Sequence, residues 1–416
     1  MIVEFTVSNF RSIKSAQTLS MVASSDSTFE DTHLIKTNHK ALPRLLKSAA
    51  VYGANASGKS NLVSALAYFK ALVLESATRV RPDQQFNIKP FLLDEESRTN
   101  PSEFELTFLI DGIRYQYGFA LNPRRFLEEW LLEYEFAKPR TLFSRRYNQA
   151  TNSDDYEFGS FLKGQKQKWE ELTRHNALFL STAAQWNSQQ LTPIYEFIAN
   201  KLLVVPANAG LQLETSIQHV KNSQSKLAIL DYLRSADIAI SDVAIEAQRG
   251  FRQTVSFQRN SPESQEVETS EAEIEIPKFV HKAGEVEATF DFFEESMGTQ
   301  KLFALAGQMI DVLTSDKTII VDELDTSIHT LLLEHIVSTF HQAERTSQLI
   351  FTVHNTELLN GPYLRRDQIW LVEKDEFQST NLYPLTEFMP RKGEALEKGY
   401  LSGRYGGLPI LKKLAY

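Results

Sequence analysis

Cysteine is absent from the 416 residues of this chain. Disulfide bonds, thiolate metal sites and cysteine nucleophiles are therefore all excluded. Long apolar runs are also absent, because no segment approaches the roughly 20 consecutive apolar residues that a membrane helix needs. The opening MIVEFTVSNFRSIKS alternates apolar and polar positions and lacks the basic-then-apolar order of a signal peptide. We therefore expect a soluble, cytoplasmic protein that does not enter a membrane.

A surplus of positive charge is missing as well. The formal net charge is -9, from 44 Lys and Arg residues against 53 Asp and Glu residues. The negative net charge argues against broad, unselective binding to nucleic-acid phosphates, but it does not exclude a local basic strip. Hydrophobic residues make up 42% and charged residues 23%, which is the composition of a globular protein. The length favours two lobes or domains over a single core.

Hydrophobic patterning predicts three regions. Residues 1–135 predict an N-terminal β lobe that contains a glycine-rich loop and a helix, since its opening residues and the runs at 104–110 and 113–119 alternate apolar and polar positions. Residues 136–290 predict a mainly helical insertion, with an acidic, exposed loop at 258–276. Residues 291–416 alternate buried strands with single helices, which predicts a parallel sheet. The predicted fold class is α/β: a mixed or parallel sheet flanked by helices, with a small antiparallel β lobe and a helical insertion.

An Asp111-Gly112 pair separates two alternating runs, residues 104–110 and 113–119. Both positions of a two-residue hairpin turn need positive φ, which Asp and Gly adopt readily. The sequence therefore predicts an antiparallel hairpin at this pair, and residues 126–134 predict a further strand beside it.

A glycine-rich segment, GANASGKS at residues 53–60, has the P-loop pattern. It follows a short apolar strand and precedes apolar residues at helical spacing, which is the context that the pattern requires. Glycines let backbone N–H groups turn inward around phosphates, and the helix start adds its positive dipole end. Lys59 is predicted to neutralise the β- and γ-phosphate oxygens, and Ser60 to ligate Mg²⁺. The predicted nucleotide-binding residues of this segment are Gly53, Asn55, Ala56, Ser57, Gly58, Lys59, Ser60 and Asn61.

Asp322 and Glu323 end a predicted buried strand. In doubly wound folds, phosphates bind at the carboxyl edge of the parallel sheet. Asp322 is predicted to hold Mg²⁺ through water, and Glu323 to polarise the attacking water. His354 follows the next buried strand and could reach a γ-phosphate oxygen or that water, although a lone strand-end histidine is more often structural. Glu323, His354 and Lys59 are the predicted catalytic residues.

A second anion site is predicted at the start of the helix at 300–313. Ser296, Gly298 and Thr299 stand at this start, where free N–H groups and the helix dipole favour an anion. One nucleotide has a single γ-phosphate, which Lys59 already contacts. The economical interpretation is that the second site serves the nucleotide of another copy of the chain. The alternative is an ordinary helix cap with a glycine turn.

As a set, these motifs resemble the ABC-type heads of SMC and DNA-repair ATPases. They resemble more closely the abortive-infection and phage-defence ATPases of the OLD/RloA-like group. Three segments are similar to that group: the opening VSNFRS, the signature ESMGTQ and the ending YLSGRYGGLP. The resemblance spans almost the whole chain and implies an ABC-type ATPase head that forms a homodimer or higher oligomer around ATP and Mg²⁺.

The resemblance also implies roles for particular residues. Ser296 and Gly298 would act on the partner's ATP, and Asp325 would lie at the dimer seam. Asn9 and Arg11 match an N-terminal segment that lies near the nucleotide in the family, and the competing interpretation is a polar strand edge.

Three departures from the family pattern stand out. The signature reads Ser-Met-Gly-Thr rather than Ser-Gly-Gly, and the long coiled coil of SMC proteins is absent. No glutamine is an evident Q-loop residue, and Gln84 and Gln85 are more simply surface residues. Roughly 60 residues follow His354, too few for the Toprim nuclease of some OLD-group members, so we expect any nuclease to be a separate protein.

The function implied by the resemblance is an ATPase switch in a bacterial abortive-infection module that controls a separate effector. The first alternative is an SMC-type head for DNA repair or maintenance. The others are a nucleotide-bound scaffold with negligible turnover and a small-molecule kinase, which would not need the residue 296–300 signature.

Overall fold

The computed structural model describes residues 1–135, 138–208, 210–257 and 265–409. The chain divides into two compact units. The larger comprises Met1–Ala209, Val312–Thr326 and Leu333–Tyr416, and the smaller comprises Gly210–Asp311 and Ser327–Leu332.

The described residues form strands and helices that we number in chain order. The strands are β1 (Ile2–Ser8), β2 (Gln17–Ser20), β3 (Leu34–Lys36), β4 (Arg44–Leu46), β5 (Ser48–Gly53), β6 (Ser102–Ile110), β7 (Ile113–Leu121), β8 (Phe126–Tyr134), β9 (Arg140–Asn148), β10 (Ser153–Phe158), β11 (Leu202–Val205), β12 (Ile240–Phe257), β13 (Gln265–Ala283), β14 (Val286–Asp291), β15 (Thr318–Val321), β16 (Gln348–Thr352), β17 (Ile369–Lys374) and β18 (Thr380–Pro384). The α-helices are α1 (Glu30–His33), α2 (Lys59–Glu75), α3 (Glu95–Thr99), α4 (Lys166–Leu172), α5 (Phe179–Gln185), α6 (Thr192–Glu196), α7 (Glu214–Lys221), α8 (Ser223–Ser235), α9 (Met297–Ser315), α10 (Thr330–Gln342) and α11 (Leu396–Leu401). A π-helical turn spans Phe197–Lys201, and 3₁₀ turns span Phe292–Glu294, Glu357–Leu359, Arg366–Gln368 and Leu385–Phe388.

One sheet of the larger unit has the strand order β11-β15-β16-β5-β17-β18. Its strands run parallel from β11 to β17, and β18 is antiparallel to β17. Every residue of β5, β15 and β16 is buried, which explains why these strands have continuous apolar runs rather than alternating patterns. The predicted parallel sheet is confirmed, and with it the α/β fold class.

The second large sheet of this unit is antiparallel, with the order β10-β9-β8-β7-β6-β1-β2. The predicted hairpin joins β6 to β7, with Ile110 opposite Ile113. The turn residues Asp111 and Gly112 have φ values of 48° and 80°, as a two-residue turn requires. The predictions of this hairpin and of the strand at 126–134 are confirmed.

Helix α2 packs into the same hydrophobic core as both sheets of the larger unit. The ring of Phe69 stacks on Phe119 of β7 at 5.2 Å and meets Phe5 of β1 edge-on at 6.0 Å. Leu66 of α2 and Val51 of β5 belong to this core as well. Because α2 begins where the P-loop ends, its packing fixes the position of the loop at the carboxyl end of β5.

A buried carboxylate, Glu129, joins the antiparallel sheet to α5. Its side chain on β8 accepts N–H groups of Phe179 at 2.7 Å and Leu180 at 3.0 Å, and the hydroxyl of Tyr117 at 3.0 Å. Burial raises the pKa of Glu129, and the positive charge of Arg145 opposes this shift. Glu129 therefore caps the start of α5 from inside the core.

Arg145 on β9 completes this buried network. Its guanidinium donates to the carbonyl of Ala177 at 2.7 Å and to Asp154 Oδ2 at 2.7 Å, and lies 3.8 Å from Glu129. Both Arg145 and Glu129 are at most 2% exposed. A charged residue at this depth is tolerated because its two Nη atoms have partners, although Nε has none among the described residues, and removal of Arg145 leaves Glu129 without its counter-charge.

The smaller unit contains α7, α8, most of α9 and the sheet β12-β13-β14. The prediction that residues 136–290 are mainly helical is corrected, since this region also forms β9 to β14. Residues 265–276, predicted as an exposed loop, belong to β13, and residues 258–264 lie outside the described part of the chain. Strands β12 and β13 pair over their whole length, yet Glu273 and Ile274 are exposed. Backbone pairing forms this ribbon, and its sequence has no sustained apolar run, so the hydrophobic signal is weak.

Two buried histidines lie together beside the amino end of β5. His341 Nε2 is 2.8 Å from the hydroxyl oxygen of Ser48, and the ring centroids of His33 and His341 are 3.8 Å apart. Burial lowers the pKa of His33 to about 4, and burial together with the charges of His33 and Lys47 lowers the pKa of His341 well below its usual range. Both imidazoles are therefore neutral in the folded chain at neutral pH.

The free energy of unfolding should fall as the pH drops below about 6.5, the pKa of a histidine in an unfolded chain. Between that pH and 4, the unfolded chain binds a proton at His33 that the folded chain does not. Each pH unit should therefore cost about 1.4 kcal/mol for this group. Urea unfolding at several pH values measures the slope. It should be shallower in His33→Asn and unchanged in His329→Asn, an exposed position; equal slopes in all three proteins would contradict the assignment.

Candidate nucleotide-binding site

A cleft of about 820 Å³ lies at the carboxyl end of β5, within the larger unit. Five places in the sequence supply its lining: Ser12, Asn55, Ala56, Ser57, Gly58, Lys59, Ser60, Asn61, Glu323, His354 and Lys374. The structure thus brings the P-loop together with Glu323 and His354, as the sequence predicts from the shared edge of the sheet. Ser12 and Lys374 are additions that the sequence did not indicate.

The P-loop glycines are set by conformation and by close approach. Gly58 has φ +116°, and a Cβ atom there would lie 2.1 Å from Thr380 Oγ1. At Gly53, a Cβ atom would lie 2.4 Å from the carbonyl oxygen of Val372. Any larger residue at either position would shift the loop, because these distances are below van der Waals contact.

Lys59 is held inside the turn of the P-loop. Its side chain is buried, and Nζ donates to the carbonyl oxygens of Gly53 at 2.7 Å and Ala54 at 3.1 Å. Burial lowers the pKa of Lys59, and the carboxylates that follow β15 oppose this shift. An ammonium group is therefore available where the P-loop pattern requires one for phosphate oxygens.

Ser57 carries an unsatisfied buried hydroxyl. Its Oγ is buried and has no hydrogen-bond partner in the described part of the chain. Its carbonyl oxygen accepts the hydroxyl of Thr380 at 2.8 Å, which holds the loop. An unpaired buried hydroxyl costs free energy, and a phosphate oxygen in the turn would accept its proton. The residues present therefore fit the phosphates of a nucleotide.

A single hydroxyl contacts both acidic residues after β15, the carboxylate of Asp322 and the backbone of Glu323. Thr352, the last residue of β16, donates through Oγ1 to Asp322 Oδ1 at 2.7 Å. The same oxygen accepts the N–H of Glu323 at 2.7 Å. Asp322 is buried, whereas Glu323 has φ 52° and turns so that it lines the cleft. Asp322 and Glu323 are adjacent in the sequence but lie in different environments, one buried and the other facing the cleft.

The predicted magnesium ligands are Ser60, in the first turn of α2, and Asp322. Among the described residues, no group of three or more His, Asp or Glu side chains could hold a metal ion by itself. Mg²⁺ commonly binds one or two protein ligands and completes its shell with phosphate oxygens and waters. Ser60 lines the cleft, whereas Asp322 is buried next to Glu323 and is not part of the lining, so the two fit that mode only together with a nucleotide and water.

Asp325 fixes the turn that carries His354. Its Oδ2 accepts the N–H groups of His354 at 2.9 Å and Asn355 at 2.8 Å. This contact lies within one chain and orients the histidine that lines the cleft. The predicted position of Asp325 at a dimer seam stays a prediction.

Asn9 has a structural use that differs from its predicted nucleotide contact. Its Nδ2 donates to the carbonyl oxygens of Ser97 at 2.8 Å, Asn100 at 2.8 Å and Pro101 at 3.2 Å. Its Oδ1 accepts the N–H of Phe91 at 3.0 Å. The buried amide thus ties the turn after β1 to a neighbouring loop, and it is not part of the cleft lining. This favours the strand-edge interpretation for Asn9.

Arg11 contacts the P-loop helix from outside the cleft. Its Nη1 donates to Ser64 Oγ at 3.0 Å and lies 3.4 Å from Asn61 Oδ1. The side chain is exposed, and the nucleotide contact predicted for it stays a prediction. Gln84 and Gln85 are exposed and do not line the cleft, in agreement with their interpretation as surface residues.

Ser12, Thr380 and Lys374 are the site residues that sequence reasoning missed. Ser12 Oγ accepts from Asn61 Nδ2 at 2.6 Å and lies 2.7 Å from Thr380 Oγ1. These contacts join residues far apart in the sequence, which no local pattern reveals. Lys374 ends β17, the strand beside β5, and this strand-end position is the signal that could have found it.

In the smaller unit, Ser296 caps the start of α9. Its Oγ accepts the N–H of Thr299 at 3.1 Å, and its carbonyl oxygen accepts the N–H of Gln300 at 2.9 Å. A Cβ atom at Gly298 would lie 2.9 Å from the carbonyl oxygen of Ser327. The helix cap is present, and the contact of Ser296, Gly298 and Thr299 with a partner's nucleotide stays a prediction.

No helix in the described ranges combines the length and the apolar character needed to cross a bilayer. No curated protein is significantly similar to the chain in sequence.

Solved structures similar to the chain include SMC head domains. An SmcHead bound to the C-winged helix domain of ScpA is 13% identical, with 93% of this chain and 99% of that chain covered and a TM-score of 0.43. The SMC head domain from Thermotoga maritima is 11% identical, with coverage of 92% and 98% and a TM-score of 0.40. The Pyrococcus furiosus Smc head domain with an extended coiled coil, bound to the C-terminal domain of ScpA, is 12% identical, with coverage of 93% and 97% and a TM-score of 0.39.

The family described as "AAA domain, putative AbiEii toxin, Type IV TA system" matches residues 48–360. This span covers most of the chain and runs from the first residue of β5 to beyond His354. It includes the P-loop, the carboxylates after β15 and the capped start of α9. The resemblance to the OLD/RloA-like group in particular stays a prediction. The chain belongs to this AAA-domain family.

Proposed function

We propose that the chain is an ATPase that acts as a switch, in which two copies close around ATP and Mg²⁺ and hydrolysis lets them open. The observation that carries this proposal is the cleft itself, where the P-loop, Glu323 and His354 share one edge of a parallel sheet. Phosphate-binding, water-activating and proton-accepting groups then converge on one γ-phosphate.

The P-loop side binds and orients the triphosphate. Lys59 exchanges its contacts with the carbonyls of Gly53 and Ala54 for β- and γ-phosphate oxygens. Ser60, and Asp322 through water, would hold Mg²⁺, which would neutralise charge on the phosphates. The Ser57 hydroxyl gains the acceptor that it lacks within the described part of the chain.

Glu323 accepts the proton of the attacking water. Its N–H is bonded to Thr352, so the backbone is held while the carboxylate stays in the cleft. His354 lies across the cleft on a turn secured by Asp325, and it orients the water or a γ-phosphate oxygen. A positioned general base of this kind contributes roughly 10²- to 10⁴-fold to a rate.

A second copy of the chain completes the site through the start of its α9. Ser296, Gly298 and Thr299 offer a hydroxyl and free helical N–H groups to the γ-phosphate. The capped helix start and the close packing at Gly298 support this assignment because they hold the backbone in one arrangement. ATP bound between two copies then links hydrolysis to opening of the dimer.

The biological setting that we propose is a bacterial abortive-infection module directed against phage. The family description names a toxin of a type IV toxin–antitoxin system, which supports a defence role over DNA repair. In this setting, closure and opening of the dimer hold or release a separate effector such as a nuclease.

Mixing two inactive variants tests the shared site. Each shared site combines the P-loop cleft of one copy with the start of α9 of the other copy. Lys59→Ala disables the P-loop cleft, and Gly298→Asp disables the start of α9. A dimer with one copy of each variant therefore keeps one complete site, formed by the two unchanged parts. The mixture should recover up to about a quarter of wild-type ATPase activity, because random pairing makes half of the dimers mixed and each has one intact site of two. Phosphate release measures the activity, and light scattering with ATP measures the dimer.

The matched control mixes Lys59→Ala with Glu323→Gln. Both changes lie in the P-loop cleft, so every site in this mixture contains a defective cleft and no activity should return. Equal activity in the two mixtures, or no recovery in the first mixture when mixed dimers are present, would contradict completion of the site by a second copy.

A further inference from the structure

A second cavity in the larger unit has the chemistry of a base-binding site. It has a volume of about 470 Å³ and lies between the loop before α4 and the turn after α5. We call it the Trp186 cavity and define it by Lys163, Gln165, Trp169, Trp186, Asn187 and Gln189. It shares no residue with the lining of the nucleotide cleft. Its volume is in the range of pockets that bury one small molecule or one nucleotide residue.

Aromatic surface is exposed in this cavity. Trp169 is buried, whereas Trp186 is 52% exposed. Exposure of a tryptophan ring to water is unfavourable, and a ligand that covers the ring would relieve it. The ammonium of Lys168 lies over the Trp186 ring, 5.5 Å from its centroid. The ammonium covers one face of the indole, so a base would stack on the other face, and Lys168 supplies a positive charge for a neighbouring phosphate.

The cavity is preformed by backbone features of the loop. Gly164 has φ +106°, and a Cβ atom there would lie 2.3 Å from the Trp169 ring. The N–H of Lys163 donates to Gln190 Oε1 at 2.9 Å, which ties the two walls together. Asn187 also has positive φ, 55°, and is exposed. Amide side chains at the rim can donate to and accept from the edge of any base.

Charge in this region differs from that of the chain as a whole. The segment KGQKQK at residues 163–168 has three lysines and no acidic residue. None of the residues that line the cavity is acidic. These three lysines accompany the exposed aromatic ring, and Glu170 and Glu171 follow them in the sequence.

We propose that the Trp186 cavity binds one base of a single-stranded nucleic acid, stacked on Trp186, with flanking phosphates beside Lys163 and Lys168. Stacking on an aromatic ring together with a basic groove is the usual mode of single-strand binding, and it tolerates any base. A duplex does not fit this cavity because the faces of its bases are already stacked on one another. The Trp186 cavity is separate from the nucleotide cleft, so binding of a base there does not depend on whether the chain hydrolyses ATP.

Fluorescence anisotropy with labelled ten-nucleotide oligothymidylate and oligouridylate tests this site. ADP and Mg²⁺ should be present in excess, so that oligonucleotide phosphates do not compete for the P-loop. Trp186→Ala should weaken binding roughly 5- to 150-fold, the range measured when one stacking aromatic is truncated. Trp186→Phe should keep most of the affinity, because a phenyl ring still stacks.

Salt dependence gives an independent measurement. Replacement of Lys168 by Ala should reduce the slope of log affinity against log salt by about 0.7, the value for one contact with a single strand. The matched control is Phe377→Ala, an aromatic residue that is 65% exposed outside the cavity, which should change neither affinity nor slope. If Trp186→Ala does not fold, Lys163→Ala with Lys168→Ala keeps the test, since both lysines are exposed.

Three results would overturn the proposal. One is wild-type oligonucleotide affinity in Trp186→Ala. Another is equal affinity for the single strand and for its duplex. The last is binding of free uridine monophosphate but of neither oligonucleotide, which would identify a small-molecule site. Preference for the ribose or the deoxyribose strand would identify the natural source of the base.

Discussion

Replacement of Glu323 by Gln should lower kcat for ATP hydrolysis roughly 10²- to 10⁴-fold, the contribution of a positioned general base. The amide keeps the shape of the carboxylate but cannot accept the proton of the attacking water. Nucleotide binding should persist, because Lys59 and the P-loop glycines are untouched. The variant should therefore accumulate as an ATP-bound dimer, which light scattering detects, while phosphate release measures the loss of turnover.

Glu376→Gln is the matched control for this experiment. Glu376 is an exposed carboxylate in the turn after β17, two residues beyond Lys374, and it does not line the cleft. Its replacement should leave turnover unchanged. Normal hydrolysis by Glu323→Gln would show that another group accepts the proton, and His354 would then be the remaining candidate in the cleft.

Replacement of Arg145 by Met should lower the free energy of unfolding by about 3–5 kcal/mol. Methionine fills part of the volume, but Glu129 is left in the core without a counter-charge, with only the N–H groups of α5 and one hydroxyl as partners. Asp154 loses its buried contact at the same time. Urea unfolding followed by circular dichroism measures the change.

The neighbouring residue provides the control. Arg146 follows Arg145 on β9 but points to the other face, where its side chain is 76% exposed and pairs with Glu128 at 3.1 Å. Arg146→Met should therefore change the free energy of unfolding by less than about 1 kcal/mol. Equal unfolding midpoints for the two variants would show that the buried network does not stabilise the fold as we infer.

Much of the site could be predicted because its parts are local in the sequence. The P-loop pattern, its strand and its helix lie within one continuous segment, and β5 and α2 form there. The positions of Glu323 and His354 follow from a general rule, since both come after buried parallel strands and such strands end at one edge. The hairpin at Asp111 was equally predictable from two turn residues.

The features that the sequence did not predict depend mostly on contacts between segments that are distant in the sequence. Asn9 was expected near the nucleotide, but three carbonyl oxygens of the loop ending at Pro101 claim its amide. Ser12 enters the site through Thr380, a partner 368 positions away. The ribbon of β12 and β13 was missed for a different reason, because long backbone pairing forms it and its sequence has no sustained apolar run.

The alignment of two buried strands determines where Asp322 and Glu323 lie. Val321 pairs with Phe351, so the next residue of each strand brings Asp322 beside Thr352. A shift of one residue would turn Thr352 to the opposite side of the sheet and deprive both acidic neighbours of their shared anchor. The position of the acidic residues at the edge of the sheet therefore depends on the packing of apolar residues that do not contact a ligand. We therefore expect core substitutions in β15 or β16 that shift this register to lower the ATPase activity proposed for the cleft while the protein still folds.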